Sequence, residues 1–221
     1  LDSAPEVGTS HYLARLLDLK VEATLQPNPE SDEVGIGVVC TTAEPMESIE
    51  VLRKLKERLG LAVVRHSDLH SEPVCRVAIC SGSGSSLMEQ ARRAGAQIYI
   101  ASDFSYHHFA DADRELTIAD IGHFESEYCA IEILFDIIRK KIMSAVTDSE
   151  GKVYYDEENK PGISNLITIY SSLKNISIKE AEEYFKESNY GNLKKEVADI
   201  VVEKLTNIQK ITLRNYFGKM K

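Results

Sequence analysis

Apolar positions along the first two thirds of the chain switch repeatedly between two periods. SHYLARLLDLK has them three and four apart, with Ser10 available as a cap, and predicts a helix over about 10–19. LQPNPESDE, rich in proline and acid, reads as a loop. VGIGVVCTT predicts a strand, and PMESIEVLRKLKERLG an amphipathic helix closed by Gly60. LAVVRH reads as a short strand and VCRVAIC as a fully buried one. SGSGSSLMEQARRAG is a glycine turn opening a helix, and QIYIA and LTIADI are strands flanking a short helix. HFESEYCAIEILFDIIRKKIMSAV keeps helical periodicity to its end and predicts one unbroken helix over about 124–145. Strands apolar throughout, alternating with helices, define an α/β fold: a mixed or parallel sheet with helices on both faces.

The pattern changes after about residue 145. TDSEGKVYYDEENKPG is a charged, turn-rich connector, and ISNLITIYSSLK, ISIKEAEEYFKES and NLKKEVADIVVEKLTNIQKI all follow helical spacing. The expected organisation is therefore an α/β domain over 1–143 and an all-helical segment over 144–221. Charge shifts in the same region. Residues 1–136 carry 23 acidic and 11 basic side chains, whereas 137–221 carry 15 basic and 12 acidic ones, within a net charge of −9. The acidic part argues against an extended nucleic-acid surface, and the mildly basic part permits an RNA contact without demanding one.

Composition narrows the class further. A chain with 43% hydrophobic and 28% charged residues is ordinary for a soluble globular protein. No apolar run approaches a membrane span and no signal peptide is visible, which points to the cytoplasm and away from a membrane. Cys40, Cys75, Cys80 and Cys129 lie on apolar stretches without CxxC spacing and read as reduced core thiols. Because Leu1 stands first, the expectation is a processed chain or a fragment of a longer one.

The candidate chemistry lies within residues 97–127. A polar loop after the first apolar run carries Asp103, Tyr106, His107 and His108, and LTIADI ends at Gly122, with His123 and Glu127 directly after it. A spacing of four puts His123 and Glu127 on one helix face about one turn apart. Strand ends feeding polar groups into helix starts are where α/β sheets keep their sites. Imidazole with carboxylate suits zinc, iron or manganese better than calcium or magnesium. The same spacing also suits a solvated helix start, with His123 as a cap and Glu127 favoured by the helix dipole. SGSGSS leaves a similar choice between an anion cradle and a glycine turn with a serine cap, and it lacks the P-loop lysine.

GHFESE, preceded by an apolar strand and by DFSYHH, resembles the NIF-three-like dinuclear-metal family, also known as GTP cyclohydrolase 1 type 2 homologues. The resemblance covers residues 1 to about 136, as the second half of such a protein. It implies that His123 and Glu127 are metal ligands, and that Asp2, in LDSAP, is the aspartate that bridges the two metals. His107 matches a family histidine close to the site, as ligand or general base. The implied activity is metal-dependent hydrolysis of a small, purine-nucleotide-like substrate, and a homo-oligomer is implied as well. Two features depart from the family pattern: its His-Thr-Asn and paired-histidine segments would lie before Leu1, and Ala101-Ser102 replaces the usual Thr-Gly. The expectation is thus an incomplete site with at most one weakly held transition-metal ion and weak hydrolase activity.

Residues from about 137 to 210 resemble a different family. IRKKIMSAVTDSEGKVYYDEENKPGISNLITIYSSL and NYGNLKKEVADIVVEKLTNIQ are similar to the C-terminal region of bacterial tryptophanyl-tRNA synthetase. That region helps to recognise the tRNA anticodon, so weak tRNA binding is implied. The HIGH and KMSKS signatures are absent, and no ligase activity is expected. Two partial families meeting near 137–141 within one helical pattern read as a chimera. The readings that remain are a metal-binding protein, an RNA-binding module without catalysis, and a non-catalytic fusion.

Overall fold

The structure is a computed structural model describing residues 3–4, 6–112 and 114–218, with side chains to residue 208. These residues form two compact units dividing between Ile133 and Leu134. Each has its own core and is described by itself.

The first unit is a six-stranded mixed sheet with helices on both faces. Its elements are α1 (Thr9–Leu16), β1 (Lys20–Asn28), β2 (Ser31–Met46), α2 (Ser48–Leu59), β3 (Arg65–His66), β4 (Val74–Ser83), α3 (Met88–Arg93), β5 (Ile98–Ser102), α4 (Tyr106–Asp111), β6 (Thr117–Asp120) and α5 (His123–Glu127). The strand order is β1-β2-β4-β5-β6-β3. β4, β5 and β6 run parallel, whereas the β1–β2, β2–β4 and β3–β6 pairs are antiparallel.

The period of two sorts the strand residues onto two cores. Val38, Cys40, Val77, Ile79, Ile98 and Ile100 share one face with Leu13 of α1 and with Val51 and Leu55 of α2. Val39, Ala78, Cys80, Tyr99, Ala101 and Ile118 share the other with Leu87 and with Ala91 of α3. The central strands are apolar throughout because both faces are covered, as the sequence suggests.

Several elements differ from their sequence expectation. The stretch 25–33, expected as a loop, lies mostly in the β1–β2 hairpin. β1 is an edge strand with only Leu25 fully buried, so its polar surface and Pro27 mimic a loop; proline is tolerated where no neighbour needs its N–H. LAVVRH contributes only the two-residue β3. Cys75 is exposed, unlike the buried Cys40, Cys80 and Cys129.

The helix expected to be unbroken over 124–145 is in two pieces, α5 and α6 (Ala130–Met143). The interruption falls at 128–129, well before residues 137–141, through which α6 is continuous. Just before the break, the Ser126 hydroxyl donates to the His123 carbonyl at 2.7 Å and accepts from the Gly82 N–H, tying α5 to the end of β4. The Ile131 N–H then bonds back only three residues, to the Tyr128 carbonyl.

The second unit is helical, built from α7 (Pro161–Lys174), α8 (Ile178–Phe185) and α9 (Tyr190–Gly218). Proline opens α7, where its missing N–H costs nothing, and Asn175 closes it in a left-handed conformation. Ser177 and Glu180 form a capping box on α8. Ile163, Leu166, Ile167, Phe185, Leu193 and Val197 make the core, and Val153 of the connector is buried with them. Among the described residues no helix is long and apolar enough to cross a membrane.

Candidate metal centre

The parallel strands β5 and β6 both end at the site. After β6, the buried Asp120 carboxylate accepts from the Gly122 N–H at 3.0 Å and pairs with Arg65. Gly122 caps α5 with φ +84, where a side chain would also collide with Glu125. This tight turn starts α5 at His123.

His123 lies between two carboxylates. Its Nδ1 stands 2.7 Å from Asp103 Oδ2, and its Nε2 stands 3.3 Å from Glu127 Oε1. All three side chains are about half-exposed. The Asp103 hydrogen bond, aided by the Glu127 charge against a smaller desolvation cost, raises the His123 pKa above the usual histidine value.

The glycine turn forms the floor. Its helix begins with a 3₁₀ turn over Ser85–Leu87 before α3. The Gly82 N–H donates to Ser126 Oγ at 2.7 Å, and the Gly82 carbonyl accepts from the Ser102 hydroxyl. That amide is thus committed to α5, and the 3₁₀ turn and α3 start on Gly84 and Leu87 with no side-chain cap, so the serine cap of the glycine-turn alternative is not formed. Gly82 has φ +70, and a Cβ there would collide with Glu127 Oε1. Gly82→Ala is therefore expected to lower the unfolding free energy by about 1–2 kcal/mol through the left-handed backbone alone. Denaturant titration measures this, and an unchanged midpoint would contradict the turn geometry.

The other sequence candidates separate. His108 is a cap: its Nδ1 accepts from the Ser105 N–H at 2.9 Å, completing a capping box on α4. His107 is exposed on α4, its ring 5.7 Å from that of Tyr106. Asp2 lies outside the described residues. Among the described residues no group of three or more His, Cys, Asp or Glu side chains is arranged to hold one ion. Asp103 and Glu127 meet opposite nitrogens of the His123 ring, so the trio does not converge on a point. Spacing found His123 and Glu127. It missed the pairing of Asp103 with His123, twenty positions apart, and the part played by Gly82 and Ser126. Asp103 directly after an apolar strand and Ser126 three residues beyond His123 were the available signals. Beside α5, a cavity of about 320 Å³ is lined by Tyr12, Arg58, Phe124, Tyr128 and Glu132, among others.

A mixed α/β sheet with a histidine–carboxylate pair at the carboxyl ends of its parallel strands defines the class of the first unit. The chain belongs to the Duf34/NIF3 (NGG1p interacting factor 3) family, whose sequence model matches residues 1–159. A Staphylococcus aureus hypothetical protein of known structure has a similar fold (TM-score 0.58, 22% identity), covering 63% of this chain and 58% of that one. The structure of protein ybgI, of unknown function, is also similar (TM-score 0.55, 27% identity, 63% and 54% covered).

Residues 135–206 match the class I tRNA synthetases for W and Y. Tryptophan–tRNA ligase of Caldanaerobacter subterraneus is 53% identical over 75 residues, which is 34% of this chain and 23% of that protein. The Bacillus subtilis ligase is 54% identical over 72 residues, 33% and 22% of the two chains. The chain thus spans less than a quarter of these ligases, and the two family matches overlap at 135–159.

Proposed function

We propose that the first unit is a metal-binding module in which His123 Nε2 and Glu127 hold a divalent transition-metal ion, zinc, iron or manganese. The observation that carries this reading is the 3.3 Å between Nε2 and Oε1. Two ligands each about 2.0–2.1 Å from one tetrahedral zinc stand roughly 3.3 Å apart. Without metal the same two atoms form an ion pair when His123 is protonated, and their partial exposure leaves room for water or a small substrate. Bound metal would supply Lewis acidity and an activated water. The activity that fits is weak hydrolysis of a small, purine-nucleotide-like substrate. By the family resemblance, His107 on α4 is the candidate base and Asp2 the third ligand.

Titrating the full chain with zinc against a chromophoric chelator tests this. Wild type should bind, and Glu127→Gln should bind about tenfold or more weakly, because a charged oxygen donor becomes a neutral one. Equal affinity in the two proteins, or no zinc uptake by wild type, would sink the reading.

A second reading rests on the 53–54% identity of the C-terminal stretch to the tryptophan–tRNA ligases. We propose that the helical unit, with Arg139, Lys140 and Lys141 of α6, retains a weak tRNA contact without ligase activity. Filter binding over a salt series should show affinity falling steeply with salt. Tight, tRNA(Trp)-selective binding at physiological salt would instead support a dedicated RNA module.

A further inference from the structure

Resting on the metal reading above, we propose that Asp103 is a positioning residue that fixes the tautomer and ring orientation of His123 so that Nε2 presents its lone pair beside Glu127. The geometry leaves Asp103 little else to do. Its Oδ2 lies 2.7 Å from His123 Nδ1, a distance at which the ring N–H donates to the carboxylate. With the proton held on Nδ1, the neutral ring carries its free electron pair on Nε2, the nitrogen 3.3 Å from Glu127. Asp103 meets the opposite edge of the ring and acts on an ion there only through His123. A carboxylate behind a ligating histidine fixes the ring and raises its basicity as a donor.

The backbone supplies a second, independent observation. Asp103 has φ +62, a left-handed conformation unfavourable for a residue with a Cβ. Its neighbours hold it there. Ser102 is fully buried and bonded to the Gly82 carbonyl, and Phe104 is buried against Tyr99. A glycine at 103 would adopt this turn without strain. The exposed ion pair with His123 contributes too little stability to explain why a carboxylate stands there instead. Strain held at one residue of a candidate site fits a positional role for its side chain.

The test is Asp103→Gly, with Asp103→Asn as the conservative variant. Glycine removes the carboxylate and relieves the turn, so the thermal midpoint should stay level or rise. Zinc affinity should fall about 10–100-fold. Asparagine tolerates the left-handed backbone and accepts from Nδ1–H through its amide oxygen, so it should retain part of the affinity. ¹⁵N-histidine NMR of the metal-free full chain, recorded where the ring is neutral, gives a readout that overall stability does not move. Wild type should show His123 protonated on Nδ1, and Asp103→Gly should show a tautomer mixture. If Asp103→Gly binds zinc as wild type does, or leaves the tautomer unchanged, the proposal is overturned. If wild type takes up no zinc but its tautomer depends on Asp103, the metal reading fails while the positioning role stands.

Discussion

His123→Ala is expected to weaken zinc binding by more than about 100-fold while leaving the fold intact. Losing a group that only supports a ligand costs about 10–100-fold in metal affinity, and losing the ligand itself should cost more. The fold should tolerate the change because the His123 side chain is 49% exposed and its contacts to Asp103 and Glu127 are surface ion pairs. Such pairs are worth about 0–1 kcal/mol. The α5 turn itself depends on Gly122 and Ser126 through backbone groups that alanine retains. Isothermal titration with zinc and a thermal melt of the full chain give the two numbers. Undiminished zinc binding would remove His123 from the ligand set. A large loss of stability would mean that the side chain is needed for α5 to form.

What the sequence shows of this site depends on how local the determining interactions are. His123 and Glu127 are legible because one helical turn relates them, and a spacing of four is visible in the chain. Gly122 is legible for the same reason, ending an apolar strand immediately before a helix. Asp103 is visible as a loop carboxylate, but its partner is set by two parallel strands ending side by side, β5 paired with β6 from Ile98↔Thr117 to Ala101↔Asp120. Nothing in the spacing of 103 and 123 encodes that register. Gly82 is readable as a turn glycine, whereas the lack of room for a Cβ beside Glu127 exists only once β4 and α5 are packed.

The fold follows the same division. Central strands covered on both faces announce themselves by continuous apolar composition. The edge strand β1, wet on most of its surface, carries Pro27 and the polar ends of a hairpin and is hard to distinguish from a loop. The break between α5 and α6 is hidden by periodicity. Apolar positions continue at helical spacing through 128–129, while Ser126 in α5 is bonded to the Gly82 amide, a contact that the spacing does not show. In the second unit, YDEENKPGISNL reads from sequence as a charged connector feeding a helix. It is tied down by the buried Val153, by backbone bonds to Glu182 and Ser164, and by the Lys160 side chain.

Lys160→Met is expected to destabilise the helical unit by about 1–3 kcal/mol, because it removes a buried ammonium bonded to Asp148, Glu150 and Tyr190, whose carboxylates are partly exposed and can turn to water. The Lys160 side chain is 2% exposed, and its Nζ lies 3.0 Å from Asp148, 2.9 Å from Glu150, 2.8 Å from Tyr190 Oη and 3.2 Å from the Lys152 carbonyl. The Tyr154 ring lies 4.4 Å from the ammonium. Burial alone would lower the Lys160 pKa, but the bonds to Tyr190, Glu150 and Asp148 outweigh it and raise the value. Methionine matches the stem and removes the charge, leaving Asp148 without this cation and Glu150 with only the more distant Lys152. Hydrogen exchange should show reduced protection in α7 and α9, and unchanged protection would refute the cluster's role. Acid should act on the same contacts. The Tyr190 hydroxyl, then Lys160, hold the Asp148 pKa down at about 2, below the ordinary 3.8. A depressed carboxylate pKa contributes stability that is complete above the unfolded value and lost as pH falls through the folded one. The unit should therefore weaken between about pH 4 and pH 2, and Asp148→Asn should flatten that part of the curve. A wild-type melting profile as flat as that of Asp148→Asn would show that the Tyr190–Asp148–Lys160 network carries no linkage.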